Sequence, residues 1–218
     1  MNAQEVIRIP VSITRTVLAP PWRYLKRGQA GRRAARLTRE SLSHLCPLQL
    51  ELGSATRRPG WVTIDLVRGA DLILDLTKPL PFSDRSVDKV YSSHLLEHFY
   101  HDEAIALLKE CYRILKAGGT FSVCVPDASI YLNAYCSGEA FDIKTYCIYE
   151  PAFRYHSRID FVNYVAYMAG HHKHMYDEEN LIEILRSIGF QKVTLRDFDA
   201  ALDLKERAYE SIYAVALK

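Results

Sequence analysis

Residues 48–75 read LQLELGSATRRPGWVTIDLVRGADLILD. Two apolar β-type runs, 47–52 and 61–65, flank a turn that holds Gly53 and small polar residues. A third run, 71–75, follows closely. The second run ends in Asp65 and the third in Asp75. A strand that feeds a glycine turn lets a ligand approach the backbone. An acid at the tip of the neighbouring strand can accept hydrogen bonds from a ribose diol. Together these features point to a nucleoside-containing cofactor.

The rest of the chain continues this alternation. VDKVYSS (87–93) predicts a fourth strand and 102–116 a helix, with Ile105, Leu108, Tyr112 and Leu115 on one face and Gly118 as its stop. TFSVCVP (120–126) predicts a fifth strand. Residues 177–188 predict a second helix, capped by Asp177 and closed by Gly189. Runs 190–197 and 211–217 predict two last strands. Strands alternating with helices predict an α/β fold, a mostly parallel sheet covered on both faces. Ligands of such sheets collect beyond the carboxyl ends of the strands. Glu51, Gly53, Ser54, Asp65, Asp75, Ser92, Ser93, His94, Pro126 and Asp127 all fall at such ends.

Residues 1–45 carry nine Lys/Arg against Glu5 and Glu40, a net charge of +7 in a chain whose total is +2. This basic, partly helical arm (a helix is expected over 29–45) reads as a solvated leader. Its interleaved apolar residues allow a weak membrane-surface contact as the sharper alternative. No stacking pattern accompanies the basic residues, so no nucleic-acid partner is expected. No run is long and apolar enough for a spanning helix. Five widely spaced cysteines without a CxxC pair suit a reducing compartment, and a cytoplasmic location is the default. Residues 46–218 are expected to form the main domain.

Spacing narrows the cofactor. GxGxxG and GxxxxGK[ST] are absent, and 12 positions separate Gly53 from Asp65, fewer than the roughly 20 of a dinucleotide fold. An adenosyl ligand without phosphate fits better. The pieces LELGSATRRPGWVTIDL, DLILDLTKPLPFSDRSVDKVYSSHLLEHF, ALLKECYRILKAGGTFSVCVPD and HHKHMYDEENLIEILRSIGFQKV occur in that order. In this set the chain resembles class I S-adenosylmethionine-dependent methyltransferases, especially a small bacterial group with a compressed first motif. The resemblance spans about residues 47–198. It implies a Rossmann-like seven-stranded sheet with an antiparallel last strand, and S-adenosylmethionine as cofactor. It places Glu51, Gly53 and Ser54 against the methionine part, Asp65 and Leu66 at the ribose, Asp75 and Leu76 near adenine, and Ser92 to His94 at the methionine end. Ala55 stands where a second glycine is common, which is harmless only at negative φ.

Methyl transfer from a sulfonium requires alignment and exclusion of water. A hydroxyl acceptor also needs a base, for which His94 and His98 are expected, His94 first. Residues 128–170 hold ten aromatic residues and are read as a lid insert over the active edge. Such residues stack on flat or sugar rings, so the expected acceptor is a small molecule or glycan, methylated at oxygen. The same aromatics can instead form the core of a small helical subdomain. HLLEH (94–98) matches the inverted zinc-hydrolase pattern H-x-x-E-H, a short match set aside because it ends a strand. HHKH (171–174) could also bind a metal, but the loop reading is favoured and no metal is expected. A non-catalytic binding module of the same fold is the remaining alternative.

Overall fold

The computed structural model describes residues 46–218 together with Leu42. Apart from Leu42, the arm and its expected helix lie outside the described residues. The chain forms strands β1 (Gln49–Leu52), β2 (Val62–Asp65), β3 (Leu72–Ile73) and β4 (Val87–Ser93), helix α1 (His101–Ile114) and strand β5 (Leu115–Pro126). Helices α2 (Ala128–Ser137), α3 (Ile143–Tyr146), α4 (Ile159–Tyr167) and α5 (Glu178–Ile188) follow, then β6 (Gln191–Leu195) and β7 (Ser211–Leu217). The seven strands form one sheet in the order β3-β2-β1-β4-β5-β7-β6. Strands β1 to β5 pair in parallel, and β7 runs antiparallel to both neighbours.

Strand alternation gives the sheet two unlike faces. Leu50, Leu52, Val62, Ile64, Val90, Phe121, Val123, Ala214 and Ala216 share one face in register. They are buried in a common core with Leu107, Leu108 and Ile114 of α1 and Leu181, Ile184 and Leu185 of α5. Glu51, Thr63, Tyr91 and Ser122 share the opposite face and are also buried. Arg58 reaches across there, with its guanidinium 5.4 Å from the Tyr91 ring centroid.

Helix α5 begins and ends at the residues its sequence marks. The Asp177 side chain accepts from the Asn180 N–H at 2.8 Å, and Gly189 stops the helix at φ 109°. Asp177→Ala should cost about 1 kcal/mol, read as a lowered urea midpoint with an unchanged slope. Two boundaries differ from expectation. Helix α1 ends at Ile114 because Leu115 turns extended and pairs with Val87, while Lys116 binds Asp88 at 2.7 Å. Gly118 therefore lies inside β5. Strand β3 shrinks to two residues because the Asp71 carboxylate accepts the Thr63 N–H at 3.0 Å, replacing a ladder bond.

Residues 128–170 have a second core of their own. Tyr131, Phe161 and Tyr164 are buried in it, with Phe141, Tyr146 and Phe153 packed around them. The Phe141 and Phe161 ring centroids lie 4.6 Å apart. Most of the aromatic count of this insert is thus used internally, with Tyr135, Tyr155 and Tyr167 exposed.

Candidate cofactor site and histidine cluster

The strand order reverses direction between β1 and β4. In an open parallel sheet this switch point is where a crevice forms beyond the carboxyl ends. Gly53 follows β1 directly and adopts φ +79°, and its N–H donates to the Ile64 carbonyl at 2.8 Å. The backbone angle favours glycine, and a β-carbon at Gly53 would lie 2.8 Å from Leu95 Cδ1, so the Leu95 side chain would have to shift. Ala55 is not among the residues at positive φ, and the turn accommodates it.

Asp65 ends β2 beside this turn and is buried. The Val67 N–H donates to its Oδ1 at 3.0 Å. Burial raises its pKa, against the backbone N–H groups of Val67 and Leu66. A carboxylate has about four acceptor sites, so capacity for a ligand diol remains. Ser92, at the tip of β4, is buried with its Oγ unpartnered.

Other expected contacts are differently engaged. Glu51 Oε2 pairs with Arg58 Nε at 3.0 Å, which turns its carboxylate to the polar face of the sheet. Asp75 Oδ1 accepts from Thr77 N at 3.0 Å and from Thr77 Oγ1 at 2.7 Å, fixing a turn. Leu76 is part of the main core. Ser54 Oγ donates to the Thr56 carbonyl at 2.9 Å.

His94 adopts φ +47°, a conformation that costs a non-glycine residue of order 1–3 kcal/mol and recurs at functional sites. Ser211 Oγ donates to the Arg207 carbonyl at 2.6 Å. His94 Nε2 therefore donates to Ser211 Oγ, at 2.8 Å, and the His94 lone pair sits on Nδ1, 3.7 Å from Glu97 Oε1. Burial holds His94 well below the usual histidine pKa, so the ring is neutral and enclosed. Residues 96–98 form a single 3-10 turn. His94 and His98 thus do not line one helix, as the zinc-hydrolase reading of HLLEH requires.

The loop 171–174 is tied to this turn. Lys173 N–H donates to the Glu97 carbonyl at 2.7 Å, and His98 Nδ1 contacts the His171 carbonyl at 3.0 Å. The rings of His98 and His172 meet edge to face, 5.2 Å between centroids. Glu97 is 2% exposed, and burial pushes its pKa up to about 8. Burial lowers His172 to about 4. Sequence reasoning named Glu97 and His172 only within the separate runs HLLEH and HHKH and missed that they meet. The signal was there in two histidine-containing runs, but nothing in the sequence placed them side by side.

Residues 52–123 match the family model described as a methyltransferase domain. That match covers about a third of the chain, and the seven-stranded sheet with its antiparallel last strand has the architecture that the sequence resemblance implies. Solved structures with similar folds include an S-adenosylmethionine-dependent methyltransferase from Archaeoglobus fulgidus (16% identity, 88% of this chain and 95% of that one, TM-score 0.49). Another, from Mesorhizobium loti, shows 16% identity over 88% and 99% of the two chains, TM-score 0.49. A third is the 1,6-didemethyltoxoflavin-N1-methyltransferase of Burkholderia thailandensis with S-adenosylhomocysteine bound (15% identity, 87% and 78%, TM-score 0.49). No curated protein sequence matches the chain. S-adenosylmethionine is the cofactor that the sequence resemblance implies. The positive-φ glycine, the buried Asp65 and the switch point between β1 and β4 fit that ligand. No described helix is long and apolar enough to cross a membrane.

Proposed function

We propose that this protein transfers the methyl group of S-adenosylmethionine to an oxygen atom of a small-molecule or glycan acceptor. The observation that carries this reading is the position of Asp65. It is a buried acid at the end of β2, beside a glycine turn that opens the switch point, within the segment that matches the methyltransferase family. When bound, the cofactor supplies an electrophilic methyl group and a neutral thioether leaving group. The chain's task is to hold the ribose, align the acceptor and exclude water. Asp65 accepts from the ribose hydroxyls, with Leu66 beside it. Gly53 and Ser54 pass under the methionine part, and the Ser92–His94 turn closes that end. Asp75 and Leu76 border the adenine.

His98 is better placed than His94 to face an acceptor. Its side chain is 37% exposed, whereas that of His94 is 10% exposed and its Nε2 is bound to Ser211. The exposed Tyr135, Tyr155 and Tyr167 of the 128–170 insert offer stacking faces for a ring, which supports reading that insert as the lid. The protein works in the cytoplasm.

The test is incubation with S-adenosylmethionine and panels of phenols, sugars and glycolipids, following S-adenosylhomocysteine release and product mass. A product 14 Da heavier, with the methyl on oxygen, supports the reading (a methyl replacing a hydrogen adds about that mass whatever the enzyme). Tight cofactor binding with no transfer to any acceptor class would instead support a non-catalytic binding module.

A further inference from the structure

Glu97 presents an unusual state. Its side chain is 2% exposed, and neither carboxylate oxygen has a hydrogen-bond partner. A buried, unpartnered carboxyl is costly and calls for a partner. Three imidazoles border it: His94, with Nδ1 3.7 Å from Oε1 and Nε2 bound to Ser211, and the two of His98 and His172. A carbonyl oxygen only accepts, so the contacts of His98 Nδ1 to the His171 carbonyl (3.0 Å) and of His172 Nδ1 to the Val165 carbonyl (2.7 Å) place both protons on Nδ1. Each ring is then left with its lone pair on Nε2. His98 Nε2 lies 3.8 Å from Glu97 Oε1. One ligand atom each from Glu97, His98 and His172 falls within a 4.8 Å span.

We propose that Glu97, His98 and His172 form a binding site for a divalent transition-metal ion of the zinc class. Imidazole nitrogens that donate their other N–H to a backbone carbonyl have the tautomer and orientation that metal ligation needs. Two histidines and one carboxylate are a recurrent ligand set for zinc and ferrous iron, and the two nitrogens disfavour magnesium and calcium, which take oxygen ligands. Ligand atoms around a tetrahedral zinc lie about 3.4 Å apart, from bond lengths near 2.1 Å. The set closes onto an ion by roughly 1 Å of side-chain movement. The half-exposed edge of His98 gives an ion access from solvent.

The role differs from the zinc-hydrolase reading of HLLEH, because Glu97 is a ligand here and His94 is engaged with Ser211. The third ligand comes from the distant HHKH run, which the Lys173 N–H to Glu97 carbonyl bond fixes in place. Three protein ligands leave at least one coordination position open. Its use to hold an acceptor oxygen rests on the methyl-transfer reading. Binding of the ion itself does not.

Tag-free, chelator-treated full-length protein is titrated with Zn²⁺ by calorimetry, and with Co²⁺ by visible absorption. One saturable ion per chain is expected, with little response to Mg²⁺. His98→Ala removes a partly exposed ligand and leaves the core intact; Glu97→Gln keeps the shape of the buried one. Each should weaken Zn²⁺ binding at least about tenfold, the loss that even an outer-shell change brings, and abolish the Co²⁺ bands. Absence of saturable Zn²⁺ binding, or equal affinity in both variants, would overturn the proposal. S-adenosylmethionine titrated into the same samples separates the two ideas: cofactor binding without zinc binding defeats only the metal site.

Discussion

Asp65→Ala should weaken S-adenosylmethionine binding by roughly 10- to 150-fold, the loss expected when a hydrogen bond to a charged group worth about 1.5–3 kcal/mol is removed. The side chain ends β2 next to the Gly53 turn, buried and oriented by the Val67 N–H. A diol that meets one carboxylate makes two charge-assisted bonds, stronger than neutral ones. Calorimetric titration of wild type and variant measures the difference. The alanine variant also strands the Val67 N–H, so its melting temperature must be recorded alongside. An affinity equal to that of wild type would remove Asp65 from the cofactor site.

Asp203→Ala should destabilise the fold by about 3–5 kcal/mol, the range for removing one partner of a buried ion pair. The Asp203 side chain is fully buried. Arg196 Nη1 and Nη2 donate to its two oxygens at 2.5 and 2.7 Å, Tyr91 Oη donates at 2.9 Å, and the Asp199 N–H at 2.8 Å. Without the carboxylate, a largely buried guanidinium and a buried phenol are left unpaired on the polar face of the sheet. Burial pushes the Asp203 carboxyl up, yet its bonds from Arg196, the Asp199 N–H and Tyr91 outweigh this and hold it below its usual value. The folded-state pKa is thus depressed. Its contribution is complete above the unfolded value, about 3.9, and is lost as pH falls through the folded value. Urea unfolding at neutral pH and in acid should show the gap between wild type and variant narrowing below about pH 4. A gap that stays constant would contradict the assignment.

The sheet was legible because its strands are written as dense apolar runs with turn residues between them. Helix α5 was legible down to its caps, since Asp177 and Gly189 act locally. The boundaries that moved depend on partners far along the chain: Lys116 on Asp88 ended α1 early, and Asp71 on Thr63 shortened β3. The rim residues Gly53, Asp65 and Ser92 could be placed because strand ends converge by topology. Side-chain engagement could not. Glu51 meets Arg58, a residue of the turn that follows its own strand, and His94 meets Ser211 across 117 positions. The meeting of Glu97 with His172 escaped notice for the same reason, since 75 positions of chain, including the aromatic insert, lie between them.

The most direct measurement is a crystal structure grown with S-adenosylhomocysteine. The adenosyl group should lie across the carboxyl ends of β1 and β2, its ribose hydroxyls on Asp65 and its amino-acid end at Gly53 and the Ser92–His94 turn. A ligand bound elsewhere, or a rim closed by Leu95 with no ligand under saturating conditions, would contradict the assignment.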